Sequence, residues 1–194
     1  MLRTKPFDAL RPPADLAEKV ASVPYDVCNR EEASELAKGN ELSFLHVIRP
    51  DIDLPPETDP YADEMYETAK MNFESLIAKG GLARDGSPCV YVYRQSMPLG
   101  ERTLSQTGVV CCCHIEDYNA DVIKKHEKTR QEKEDDRTRH VLTLDANTGP
   151  VFLMHEDNET IDALLHSAMN NDDPLYDFAA PDGVTLTLSG PDIV

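Results

Sequence analysis

The stretch from Lys124 to His140 holds seven of the 19 lysines and arginines in a 194-residue chain that also carries 36 aspartates and glutamates and a net charge of −17. A basic island in so acidic a chain makes an uneven field that draws a small anion to one place. Read as a helix, the stretch sets His126, Arg130, Lys133, Arg137 and His140 at offsets of four, three, four and three, which is one continuous stripe. Lys125 sits beside its start, and Glu132 with Asp136 forms an acidic flank. Guanidinium forks grip phosphate oxygens bidentately, an ammonium adds a point charge, and an imidazole donates or relays a proton near neutral pH. That combination suits phosphate or pyrophosphate. The competing reading is a solvated helix laced with i,i+4 ion pairs, each worth ~0.3–0.5 kcal/mol. Such a face alternates its signs, whereas all five positions of this stripe can be cationic.

Outside that stretch the chemistry is sparse. Asp26, in Pro24-Tyr25-Asp26-Val27, could present a carboxylate to a cleft, although an aspartate that caps a turn is the commoner case. His46 reads as a histidine at the end of a strand. His114, with Glu116 and Asp117, hints at a metal, but no second cluster has compatible spacing, so no metal site is expected. Cys28, Cys89 and the run Cys111-Cys112-Cys113 contain no Cys-x-x-Cys pair and read as small buried hydrophobes in a reducing cytoplasm. There is no Gly-x-Gly-x-x-Gly, no P-loop and no Gly-x-Ser-x-Gly elbow.

Composition narrows the class. With 40% hydrophobic and 28% charged residues the chain falls among globular proteins. Its negative charge argues against binding nucleic acid or an anionic membrane surface. No run approaches the ~20 apolar residues of a membrane span, and no apolar segment follows the positive N-terminus as a signal peptide requires.

The elements that must position these residues can be read in outline. Pro6 to Pro13 reads as a short strand, Asp15 to Val23 as a short helix, and Pro24 to Val27 as extended chain. Asn29 is a good N-cap for a helix from Arg30 to Lys38. Ser43 to Ile48 has strand composition, and Asp51 to Tyr61, with three prolines and four acids, reads as a loop. Met65, Ala69, Phe73, Leu76 and Ile77 recur at helical spacing and predict a helix over Ala62 to Ala78. Cys89 to Arg94 and Thr107 to Ile115 predict a hairpin, Pro150 to Met154 a further strand, and Glu159 to Met169 a helix. Pro174 to Phe178 and Val184 to Leu188 flank the turn Pro181-Asp182-Gly183. The expected class is α/β or α+β with a mixed sheet and flanking helices, as one region over 1–194 or as two subdomains over 1–84 and 85–194.

Several of these segments together resemble a known bacterial family. They are Pro6-Phe7-Asp8-Ala9-Leu10-Arg11-Pro12, Pro24-Tyr25-Asp26-Val27, Ser43-Phe44-Leu45-His46-Val47, Tyr91-Val92-Tyr93-Arg94-Gln95, the run Lys125-His126-Glu127-x-Thr129-Arg130-x-x-Lys133-Glu134-x-Asp136-Arg137, and Thr148-Gly149-Pro150-Val151. The chain resembles the family filed as domain of unknown function 1015, in order from about Pro6 to Gly183. The resemblance implies an N-terminal portion of a longer protein. In such proteins the second half carries an Asp-Gly-His-His-Arg-Tyr loop similar to that of the ParB/sulfiredoxin-like fold and its free-serine kinases. That loop does not occur in this sequence.

The implied activity is phosphotransfer to a small hydroxy amino acid such as serine. Lys125, Arg130, Lys133, Arg137 and His140 would then hold phosphate, and His126 or Glu127 would act as base. Tyr25, Asp26, His46, Glu134 and Asp136 are further candidates for substrate contact or structural support. Mg²⁺ would accompany a nucleotide or pyrophosphate donor, with Glu134 or Asp136 as indirect ligands. The alternative is a non-catalytic module that senses a phosphorylated metabolite through the same residues.

Overall fold

The computed structural model describes residues 2–125, 128–171, 173–180 and 183–190. In chain order the elements begin with β1 (Thr4–Lys5), β2 (Leu10–Arg11), α1 (Ala17–Val20), α2 (Arg30–Ala37), α3 (Leu45–Ile48), a 3-10 turn (Pro50–Asp53) and α4 (Asp63–Ala78). There follow β3 (Ala83–Arg84), β4 (Tyr91–Leu99), β5 (Arg102–Val110), β6 (Cys112–Cys113), α5 (Ile115–Asn119) and α6 (Gln131–Leu144). The last are α7 (Glu159–Asn171), β7 (Tyr176–Ala179) and β8 (Thr185–Ser189). Helices and antiparallel strands are combined, as an α+β class requires.

Two compact units share this chain. One takes residues 1–10, 84–126 and 152–194, the other residues 11–83 and 127–151. The change of unit at Ala83 and Arg84 is one of four along the chain, so each unit is assembled from separated segments.

The first unit is built on an antiparallel sheet in the order β5-β4-β8-β7. Its hairpin is longer than the hydrophobic pattern predicts, because polar residues such as Gln95 and Gln106 pair as well as apolar ones. The two-residue turn Gly100-Glu101 reverses the chain, and Gly100 takes a left-handed φ of 61° that an L side chain resists. Ala9, Cys89 and Tyr91 form the buried cluster beside the sheet, with Phe7, Val110, Leu175 and Leu188 against it. Asp117, 3% exposed, is gripped by the Arg3 side chain and by the Arg3 amide at 2.7 Å. That guanidinium holds its carboxyl below the usual carboxylate range.

The second unit is helical. Asn29 caps α2 through a reciprocal pair of bonds with Glu32, its side chain accepting from the Glu32 amide at 2.9 Å. Along α4 the residues Met65, Tyr66, Ala69, Phe73 and Leu76 are buried, while Ile77, expected inside, is exposed. Gly80, at φ 75°, ends that helix.

Four sequence-based expectations need correction. Leu45 to Ile48 is one turn of helix rather than a strand, because Leu45, Val47 and Ile48 are buried together, and a run this short carries no period that separates the two. Pro24 to Val27 is a turn closed by the Val27 amide on the Pro24 carbonyl, rather than extended chain. Val151 to Met154 is irregular and exposed, and among the described residues no strand pairs with it. The helix expected over Lys124 to His140 begins only at Gln131. The turn residues Pro181 and Asp182 lie outside the described residues.

Candidate functional site

The late start of α6 changes how the cationic stripe is presented. Lys124 and Lys125 belong to the first unit, where Lys124 pairs with Asp121 and Lys125 lies 4.4 Å over the Tyr118 ring. His126 and Glu127 lie outside the described residues. Arg130 stands at the N-cap of α6, exposed and giving the helix no side-chain cap; its carbonyl takes the Lys133 and Glu134 amides, and among the described residues the Gln131 and Glu132 amides have no partner. Unbonded amides and the positive end of the helix dipole favour an anion there. Lys133, one turn on, lies 5.8 Å over the Tyr61 ring.

Further along α6 the cations are committed to the protein itself. Asp136 is nearly buried and accepts from the Tyr66 hydroxyl at 2.8 Å on one oxygen and from Arg137 at 2.8 and 3.0 Å on the other. Burial, with that carboxylate alongside, pushes the Tyr66 hydroxyl up to about 12. The Arg137 guanidinium stacks 4.3 Å over the Tyr25 ring. Arg139 does the same over Tyr66 at 4.1 Å and binds Asp63, which raises its own pKa further. His140 is 2% exposed, with Nε2 3.0 Å from the Val47 carbonyl and Nδ1 3.5 Å from the Thr148 hydroxyl. A carbonyl can only accept, so Nε2 carries the proton, and burial lowers the pKa. His140 is therefore a neutral bracket between α6 and α3 rather than a phosphate ligand.

The Tyr25 ring beneath Arg137 is positioned by a residue that the spacing argument passes over. Arg49 donates to the Tyr25 carbonyl at 3.1 Å and to the Cys28 carbonyl, and forks onto Asp51 at 2.7 and 2.9 Å. Arg30 ties down the same neighbourhood through the Asp51 carbonyl at 2.8 Å and the Leu54 carbonyl. Arg49, a lone arginine between α3 and the 3-10 turn, gives no periodic signal. The nearest clue is Pro50, which sets Asp51 beside Arg49 in a tight turn. Asp26 and Glu134 are exposed.

His46 lies apart from this group. Its Nδ1 meets both Asp53 oxygens at 2.9 and 3.0 Å, and Asn72 donates to the His46 carbonyl and to Asp53, both at 2.8 Å. The Asp53 carboxylate raises the histidine pKa, helped by the Asn40 backbone. Together with Glu41, Ser43, Ser75 and Lys79 these residues line a shallow cleft of about 200 Å³. Its charges are already paired, His46 with Asp53 and Lys79 with Glu41.

One sequence profile fits almost the entire chain: that of a family described as a protein of unknown function (DUF1015) matches residues 4–189. The chain belongs to the DUF1015 family. No curated protein and no solved structure matches it. In this DUF1015 chain, no described residues bring three or more histidine, cysteine, aspartate or glutamate side chains together around a metal-sized space. No described helix is long and apolar enough to cross a membrane.

Proposed function

We propose that the N-terminal end of α6 is an anion site that handles phosphate. Its observation is the pairing of the Gln131 and Glu132 amides, unbonded among the described residues, with the side chains of Arg130 and Lys133, neither held in an ion pair among those residues. Tyr25 and Arg49 keep Arg137 at the margin of that site, with its guanidinium shared between Asp136 and the aromatic face. The reaction that fits is phosphotransfer to a small hydroxy amino acid such as serine, in a cytoplasmic protein to which this chain contributes an N-terminal portion. The resemblance of full-length family members to ParB/sulfiredoxin-like free-serine kinases supports that reading. His126 or Glu127, just upstream of Arg130, would take the hydroxyl proton as the oxygen attacks phosphorus.

Resident Mg²⁺ does not fit the acids named for it. Both Asp136 oxygens are occupied, and Glu134 is a lone exposed carboxylate. A Mg²⁺ ion would arrive on the phosphates of a nucleotide or pyrophosphate donor, as that ion does when it keeps several waters. The second reading is a non-catalytic sensor of a phosphorylated metabolite, which needs the same Arg130 and Lys133 but no base.

Calorimetric titration with pyrophosphate, ADP and phosphoserine tests the site. Arg130→Glu with Lys133→Glu should abolish binding and leave the melting temperature near that of wild type, since neither side chain is buried. Arg137 is unsuitable for this test, because a glutamate there would face Asp136. A wild-type chain that binds none of the three anions sinks both readings. With the second half of a full-length family member supplied, binding without transfer of phosphate to L-serine selects the sensor.

A further inference from the structure

The two edges of the four-stranded sheet are treated differently. β7 is four residues long and carries Asp177, a charge of the kind that discourages an incoming strand. β5 is nine residues long and pairs with β4 in an unbroken register from Tyr91↔Val110 to Leu99↔Arg102, with no bulge. It has no proline, and Arg102 at its tip is its only charged residue. Arg102 to Val109 are all exposed, so neither face of the strand is covered along that length.

The tight turn fixes which backbone groups point outward. Leu99 and Arg102 flank a two-residue turn and form the closing hydrogen-bonded pair, so pairing toward β4 alternates from there. Leu104, Gln106, Gly108 and Val110 face β4 with their amides and carbonyls. Thr103, Ser105, Thr107 and Val109 turn theirs away from it. β4 follows the same alternation, and Pro98, which has no N–H, falls where no partner on β5 needs one. Among the described residues β5 has no strand on its outer side.

We propose that a second copy of this chain pairs with β5, antiparallel and two-fold about Gln106, joining two sheets into one. That register sets Thr103 opposite the other copy's Val109 and Ser105 opposite its Thr107, so each outward amide meets an outward carbonyl. On one face Leu104 meets Gly108, a large side chain against none, and the two Gln106 side chains meet at the axis. On the other face β-branched and hydroxyl side chains pair, a favourable class of cross-strand neighbours. Arg102 lies opposite Val110, so no like charges are opposed. Two chains of −17 repel each other at long range, and β5, without an acidic residue, is where they approach at least cost. The pairing is independent of the anion site, which lies in the other unit.

Analytical ultracentrifugation over a concentration series tests this. The wild-type chain should sediment as a dimer that dissociates on dilution. Ser105→Pro removes an outward donor from each copy and should weaken association by about tenfold or more. Ser105→Ala controls for the Ser105–Ser96 hydroxyl contact of 2.8 Å and should leave the dimer intact. Should the proline variant misfold, Ser105→Lys with Thr107→Lys sets ammonium groups opposite one another at exposed positions and should give monomers with an unchanged circular dichroism spectrum. A monomeric wild-type chain at high micromolar concentration overturns the proposal. So does a dimer indifferent to both variants, which would place the interface elsewhere.

Discussion

Two histidines of the helical unit are tuned in opposite directions, and their effects on stability oppose each other. His46 gains from Asp53 when charged, so its folded pKa lies above the ordinary 6.5. Its contribution is fully present below pH ~6.5 and fades as the pH rises through the raised folded value. His140 is buried neutral, so its folded pKa lies below 6.5. Its contribution is present above pH ~6.5 and is lost as acid protonates the unfolded chain in preference to the folded one. Urea unfolding between pH 8 and pH 5 should therefore show a smaller acid loss in His140→Gln than in wild type, and a larger one in His46→Gln. Identical slopes in the three proteins would contradict the assignment. Neither role is legible in the sequence. The stripe placed His140 among phosphate ligands, and only its contact with Val47, 93 residues away, shows that burial decides its charge.

At the level of elements, local signals fared best where a single physical cause acts. Asn29 announces the start of α2 because an N-cap acts within one turn, and the structure completes it with Glu32 as a capping box. Asn29→Ala should lower the unfolding free energy by roughly 0.5–2 kcal/mol, measured by urea denaturation, with the fold retained. Regular helical spacing likewise announced α4, since five of its sixteen residues form one buried stripe. Leu45 to Ile48 and Val151 to Met154 share a composition rich in apolar side chains, yet one is a buried turn of helix and the other exposed chain. Apolar content alone states no period, so the surroundings settle the conformation. Of the proposed anion site, spacing names Arg130 and Lys133, whereas the rings of Tyr25, Tyr61 and Tyr66 come to the cations of α6 through the tertiary fold.

For the molecule as a whole, charge is the dominant property. At −17 the compact state pays a cost in self-repulsion that the expanded chain largely escapes. Raising NaCl from low to physiological concentration shortens the screening length to about 8 Å. The melting temperature should therefore rise with salt, as read by calorimetry; a fall would mean that ion pairs such as Arg49–Asp51 outweigh the repulsion.

The hold of α6 on α3 and α4 has a consequence in time. The Val47 carbonyl and the Tyr66 hydroxyl take partners from residues 140 and 136, and both sit in buried surroundings. On the ribosome, residues 11–83 emerge complete, but residues 84–126 must be made before α6 follows, a delay of roughly 2–9 s at ~5–20 residues per second. Through that interval the helical unit has most of its chain and none of the groups that satisfy these two sites. Water, or a chaperone, occupies the face of α3 and α4 until α6 arrives. Nascent chains arrested before residue 131 should be protease-sensitive, and those arrested after α6 has cleared the exit tunnel resistant.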